Sequence, residues 1–304
     1  MRVLITGATG FIGSELSETL IKNNIDVYYL STSKEKIINK PNFTGFYWNP
    51  SSEEIDLKCI EGVTYIINLA GKSIGCRWNS KNKKEILKSR VDSSKLLYKL
   101  LAENKHNVKK VISASAIGIY TNDFKKIQSE EIKKYNSDFL GQICKVWEDE
   151  NQKFNELGID TMIIRFGLVL AKNNGALPQF EKNIKNYLGG LLGTGEQWYS
   201  WIHIDDLIEI VNFGISNDFS GIFNGVAPKP VKQKDFLIAL SKVLDQKLYF
   251  PRIPTFILRL ILGEMHHLIT DSQRVSADKL LNSDFKFKFL TIKEALSDLY
   301  KKNP

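Results

Sequence analysis

The sequence predicts an α/β chain: a doubly wound parallel sheet with helices on both faces, followed by a smaller C-terminal α/β lobe. Three observations carry this. A buried strand opens the chain and runs into glycines at a spacing of three; strands and long helices then alternate as far as residue 170; beyond that point the pattern loosens and glycines accumulate. Strands separated by helices of that length imply parallel βαβ units, because a parallel neighbour requires a crossover.

The first strand is Arg2, Val3, Leu4, Ile5 and Thr6, rich in β-branched residues and ended by glycine. Gly7, Gly10 and Gly13 follow, and a helical period continues from Ser14. One glycine permits the tight strand-to-helix turn, a second lets a diphosphate approach the backbone, and a third lets the helix pack on the sheet. The unpaired N–H groups and partial positive charge of the helix start favour a phosphate there. A glycine triplet alone is weak evidence. A strand before it and a helix after it make it a dinucleotide-binding turn of Rossmann type.

The remaining elements follow in order. Residues 26–30 read as the second strand and 43–48 as a third, before a polar loop. Residues 63–69 form a buried strand and 79–101 a long basic amphipathic helix. Then come a strand at 109–114, a helix at 139–157 and a strand at 161–170. Glycines and Pro178 mark irregular backbone after Ala171. A helix at 205–213 and a strand at 221–226 return to the pattern. Further helices are expected at 233–244, 255–262 and 292–301, with a strand at 247–250. The expected division is a dinucleotide-binding domain at 1–170, with 205–226 returning to it, and a substrate lobe at 171–204 and 227–304.

With 43% apolar and 25% charged residues, the 304-residue chain has an ordinary globular composition. Its net charge of +8 is spread out, densest at Lys81, Lys83, Lys84 and Lys88, with no interleaved aromatics. That is the pattern of a solvated helix face, so no nucleic-acid partner is expected. The three cysteines, Cys59, Cys76 and Cys144, are far apart and unpatterned, which argues against a disulfide framework or a metal site. Without a leader or a bilayer-length apolar run, the expectation is a cytoplasmic protein with no membrane partner.

Ligands in open α/β sheets lie beyond the carboxyl ends of the strands. After the second strand an Asp or Glu would accept the ribose hydroxyls of NAD; here stand Ser31, Thr32, Ser33 and Lys34. Hydroxyls and a lysine favour NADP, with NAD as the alternative.

Four motifs together resemble an extended short-chain dehydrogenase/reductase: Gly7-Ala-Thr-Gly-Phe-Ile-Gly13, Asn68-Leu-Ala-Gly71, Ser113-Ala-Ser-Ala116 and Trp201-Ile-His-Ile-Asp-Asp-Leu207. Arg77-Trp78, Ser89-Arg-Val91, Gly193-Thr-Gly-Glu-Gln-Trp198, Leu262-Gly-Glu-Met265 and Gln273-Arg-Val275 are similar to markers of its atypical NAD(P)-dependent epimerase/dehydratase-like branch, often labelled sugar-nucleotide epimerase-like. The resemblance implies that Gly7, Thr9, Gly10, Phe11, Ile12 and Gly13 face the diphosphate. It matches Ser31 and Thr32 to a Ser-Arg pair whose arginine faces the 2′-phosphate; the arginine is missing, and Lys34 and Arg90 stand as substitutes. It places Leu69, Ala70 and Gly71 along the adenosine path, Glu85 and Arg90 reaching in from the long helix, Ser113 on the cofactor side, and Val169 near the nicotinamide. A homodimer through sheet-flanking helices is implied by analogy only.

The superfamily's chemistry needs a Ser or Thr with a Tyr-x-x-x-Lys pair, the lysine lowering the phenol pKa for proton transfer. Ser115 is matched to the serine. None of the tyrosines has a lysine four residues on, and the helix expected to carry the pair offers Lys145 alone. Tyr120 and His203 are the substitute acids, each with a packing role as its alternative. Tyr187, Trp198, Tyr199 and Trp201 form either an aromatic wall for a ring-shaped ligand or packing between lobes. The expectation is an NADP(H)-dependent oxidoreductase or epimerase-like enzyme for a small polar substrate. Its rival is a non-catalytic NADP(H)-binding sensor or partner-binding module.

Overall fold

The computed structural model describes residues 1–131, 133–187, 189–248 and 252–301. Seven parallel strands form the main sheet: β1 (Arg2–Thr6), β2 (Asp26–Ser31), β3 (Phe43–Asn49), β4 (Tyr65–Asn68), β5 (Lys110–Ala116), β6 (Asp160–Phe166) and β7 (Gly221–Gly225). Their spatial order is β7-β6-β5-β4-β1-β2-β3, and Asn39–Lys40 and Glu54–Ile55 add short antiparallel edges to β3. The order reverses on either side of β1, which opens a crevice at the carboxyl ends of β1 and β4. β1 is paired on both sides, Val3 with Val27 and with Tyr65. Its Val3, Leu4 and Ile5 are fully buried on both faces, which explains an apolar run there rather than alternation.

Helices cover both faces. Helix α1 (Phe11–Lys22) and helix Ile204–Ser216 pack on one face, where Ile5, Leu16, Leu20, Ile208 and Val211 are buried. Helices α2 (Ser80–Glu103) and α3 (Phe139–Gln152) lie together on the other, over Ile66, Leu97, Leu101 and Val111. Fully burying a leucine such as Leu20 contributes about 1.5–3 kcal/mol. Local chemistry sets the helix starts: Asn79 caps α2 by accepting from Asn82 N–H, and Asp138 caps α3 by accepting from Gly141 N–H. Helix Ile292–Leu299 begins with a capping box of Thr291 and Glu294.

The strand expected at 161–170 is two strands. β6 stops at Phe166, and Leu168–Leu170 pairs instead with Trp201–His203 in a separate parallel ladder. Gly167 makes the corner: a Cβ there would lie 2.2 Å from Ser200 O. Lys247 and Leu248 lack regular structure, and the rest of the strand expected at 247–250 lies outside the described residues. Several short strands escaped the sequence reading; among them Asp123–Gln128 and Gln273–Val275 pair with each other. The lobe core is built on Tyr199, Trp201, Phe236, Leu240 and Leu296. No helix among the described residues is long and apolar enough to cross a membrane.

Candidate functional site

The turn after β1 is shaped by its glycines. Gly7 has φ +72°, and a Cβ there would lie 3.0 Å from the Leu69 carbonyl. A Cβ on Gly13 would lie 2.2 Å from Gly7 O and 2.7 Å from Ala8 Cα, so this contact of helix and turn admits only glycine. Gly10 caps α1 without a side-chain hydrogen bond, and the first turn carries no acidic residue. The N–H groups there keep their capacity to bind an anion.

Beside this turn is a cavity of about 350 Å³. Gly7, Thr9, Ser31, Thr32, Ala70 and Gly71 line it, as the sequence expects, together with Ser33, Lys36, Trp48, Asn49, Ser51, Lys72, Ser89, Asp92 and Ser93. Lys34 is directed elsewhere, its ammonium 4.9 Å from the centre of the Tyr47 ring, and Lys36 lines the cavity. Ser31 Oγ folds onto its own loop, accepting from Ser33 N–H at 3.1 Å. Thr6 Oγ1 holds the opposite wall, accepting from Leu69 N–H at 3.1 Å and Ala70 N–H at 3.0 Å. The bare N–H groups at the start of α1 fit a diphosphate, and the hydroxyls and Lys36 of the loop after β2 line the cavity beside it, so the residues fit a phosphorylated dinucleotide.

The α2 candidates do not pair with each other. Glu85 binds Lys72 Nζ, while Arg90 donates to the carbonyls of Lys72 and Ile86, both at 3.0 Å, and lies 4.9 Å over the Trp147 ring. Its guanidinium also backs Gly71, where a Cβ would lie 3.1 Å from Arg90 Cζ. Outside the cavity lining, the Phe11 ring and the Val169 carbonyl converge on Gly175, while Ile12, on α1, packs against the core.

The end of β5 is different. Ser113 and Ser115, two apart on the strand, both face α3: Ser113 Oγ donates to Asn151 Oδ1 at 2.8 Å and Ser115 Oγ to Glu148 Oε1 at 2.6 Å. Glu148 also receives Arg165 Nε and Nη2, each at 2.8 Å. Arg165 Nη1 donates to Tyr120 Oη at 2.9 Å, and that hydroxyl donates to Asn224 Oδ1 at 2.7 Å. All seven side chains are buried. Burial pushes the Tyr120 phenol up to about 12 despite the neighbouring Arg165, which opposes a role in proton transfer near neutrality. Burial pulls the Arg165 guanidinium down, and the hydrogen bonds and charge of Glu148 more than reverse this. Lys145 faces outward to Asp149.

His203 is the N-cap of helix Ile204–Ser216. Its Nδ1 accepts from Asp205 N–H at 3.1 Å, and its ring lies 3.9 Å from Phe289. Burial holds its imidazole below the ordinary value, against the pull of Asp205 and Asp298. Of the proposed aromatic wall, Tyr199 and Trp201 are buried in the lobe core, Trp198 stacks with Arg274 at 4.5 Å, and Tyr187 is exposed. Among the described residues, two groups could present three ligand atoms to a metal: Asp138, His267 and Asp271, and His203, Asp205 and Asp298.

Sequence reasoning missed Trp48, Asn49 and Asp92 in the cavity, and Glu148, Arg165 and Asn224 in the buried network; Lys36 and Lys72 lay in loops it singled out but were not chosen as site residues. Position at the carboxyl end of β3 was a signal for Asn49. Nothing in the sequence signals the network.

Known proteins were compared with this architecture. The model of the NAD dependent epimerase/dehydratase family matches residues 3–224, and a domain of unknown function, DUF1731, matches 253–299. An epimerase family protein of Staphylococcus saprophyticus is 36% identical over 297 residues, 97% of this chain and 98% of that one. One from Staphylococcus aureus is 37% identical over 300 residues, 98% of this chain and 99% of that one. Among solved structures, human epimerase family protein SDR39U1 with NADPH aligns at a TM-score of 0.85 and 23% identity over 100% of both chains. UDP-glucuronic acid 4-epimerase from Bacillus cereus, with UDP-glucuronic acid and NAD, aligns at 0.78 and 17% identity over 99% of both chains. A glycine turn shaped for a diphosphate, the strand order around it and a family match over most of the chain agree: this protein belongs to the NAD dependent epimerase/dehydratase family.

Proposed function

We propose that the chain binds NADP(H) and acts as an oxidoreductase or epimerase-like enzyme on a small polar substrate. The observation that carries this is the cavity that joins Gly7 and Thr9, in the turn leading to the uncapped start of α1, to the loop after β2. Gly7, Gly10 and Gly13 would hold the diphosphate; Ala70, Gly71 and Arg90 would flank the adenosine; Phe11 and Val169 would stand at the nicotinamide end. Thr32, Ser33 and Lys36 offer donors to a 2′-phosphate, and the loop has no carboxylate lining the cavity to repel it. The human relative's NADPH points the same way, and the Bacillus enzyme's NAD keeps the second nucleotide in play. When bound, the cofactor supplies hydride exchange. Unpaired Cys59, Cys76 and Cys144 suit a reducing cytoplasm.

A second reading, a non-catalytic NADP(H)-binding module, draws on the commitment of Ser115, Tyr120 and His203 to protein partners. Calorimetry with NADPH and NADH tests the shared part. Lys36→Ala should weaken NADPH about tenfold, about 1.4 kcal/mol, and leave NADH unchanged. Absence of binding by either nucleotide would sink both readings. Turnover of a carbonyl and UDP-sugar panel separates them.

A further inference from the structure

The lobe brings an acid–base pair to the carboxyl edge of the sheet that is absent from the sequence candidates. His267 Nδ1 lies 2.9 Å from Asp271 Oδ1. The Asp271 side chain is only 8% exposed, and its Oδ1 also accepts from Asn122 Nδ2 at 3.3 Å. Ser272 N–H donates to Asn122 Oδ1 at 2.9 Å, tying the same two loops together. The His267 side chain, 37% exposed, is reachable from solvent. Asp138, the cap of α3, brings its carboxylate within 4.8 Å of both partners.

Their position matters more than their pairing. Helix α3 turns Cys144 and Glu148, four apart, toward the end of β5, where Glu148 holds Ser115. Leu140 continues that row one turn earlier, 3.2 Å from where a Cβ on Gly118 would stand. Leu140 and Cys144 therefore fill the four-residue spacing on which a Tyr-Lys pair would act. Met265 and Leu268 pack in one cluster with Phe139 and Leu140, so the lobe delivers His267 to that same first turn of α3. Asn122 comes from the loop that follows β5. Asn122, the Asp271 bonded to it and Leu140 against Gly118 stand past the carboxyl end of β5, on the side where open sheets bind ligands.

We propose that His267 is the acid–base residue of the cofactor-dependent reaction and Asp271 its positioning residue, with an alcohol or the corresponding carbonyl as substrate. This rests on the NADP(H) reading above. With Nδ1–H donated to Asp271, the lone pair of Nε2 is available. In oxidation the substrate O–H bond breaks and its proton passes to Nε2. The freed pair forms C=O, and the carbinol C–H pair leaves as the hydride that the oxidised nicotinamide accepts. Reduction returns the proton from the same nitrogen. Asp271 stabilises the imidazolium and fixes the tautomer.

The test is acylation of the full-length protein by diethyl pyrocarbonate, read by mass spectrometry at each of its four histidines. Buried His203 and His266 are controls, as is His106, which precedes the amino end of β5 at the opposite sheet edge. Saturating NADPH should protect His267 and leave His106 reactive. Nitrogen-15 spectra should show His267 protonated at Nδ1, and Asp271→Asn should abolish that preference. With NADPH and 9,10-phenanthrenequinone as the probe, His267→Gln should lower kcat about 100-fold at unchanged NADPH affinity. Equal acylation of His267 with and without bound NADPH overturns the proposal while leaving the cofactor reading intact. So does an unchanged kcat, or a wild type that does not turn the quinone over. A flat NADPH titration removes the cofactor reading and this one with it.

Discussion

The turn after β1 and the end of β5 lie on the same edge of one sheet, and they treat polarity in opposite ways. At the turn, the first N–H groups of α1 have no side-chain cap, glycines bare the backbone and a cavity opens alongside. At β5, hydroxyl, carboxylate, guanidinium and phenol complete one another's hydrogen bonds inside the protein. Donors left unmatched at a surface are an invitation to a ligand. A saturated buried network is an element of the fold, and breaking it should injure stability before function.

The contrast can be broken most forcefully at Glu148. Glu148→Ala strands a buried guanidinium and should cost about 3–5 kcal/mol in urea unfolding, while a Glu148→Leu/Arg165→Met double variant recovers most of it. A Glu148→Ala protein of full stability would mean the network is not structural. At the turn, Gly13→Ala puts a methyl 2.2 Å from Gly7 O. The expected outcome is loss of NADPH binding by calorimetry with a stability loss of about 1–3 kcal/mol from overpacking. Retained affinity would separate the glycines from the ligand.

The smallest effect concerns His203, which belongs with the saturated region. Burial holds it neutral in the fold, so the unfolded chain takes up a proton first once pH falls below about 6.5. Its contribution is therefore present above that pH and is lost progressively as pH falls toward the lower folded value. His203→Asn keeps a capping acceptor without titrating, and its urea midpoint should decline less than the wild type's on acidification. Parallel declines would show that other groups govern acid stability.

Much of the sheet was legible because buried parallel strands are apolar runs bounded by glycine, as β1 is, while α1 and the long helix α2 show the helical period. What pattern cannot carry is partnership. The run at 161–170 is apolar but for Thr161 and Arg165, yet Gly167 divides it between two ladders. Asp123–Gln128 is mostly exposed and polar, and it is a strand only because Gln273–Val275, far along the chain, pairs with it. The cofactor turn was readable from glycine spacing, since steric need and residue type coincide there. Lys34 and Lys36 are equivalent in sequence, and only the short 3₁₀ turn between them decides which one meets the cavity. A serine's type says nothing about which side of a strand it faces, and β5 directs Ser113 and Ser115 together into the interior.

Gly167 has a mechanical meaning. One residue separates a strand of the main sheet from a strand of the lobe, and a corner that short has no slack. Any swing of the lobe must tug on β6 itself, wedged between β5 and β7. Both ladders of β6 resist that tug, and Arg165, one residue before the strand's end, adds its hydrogen bonds to Glu148 and Tyr120.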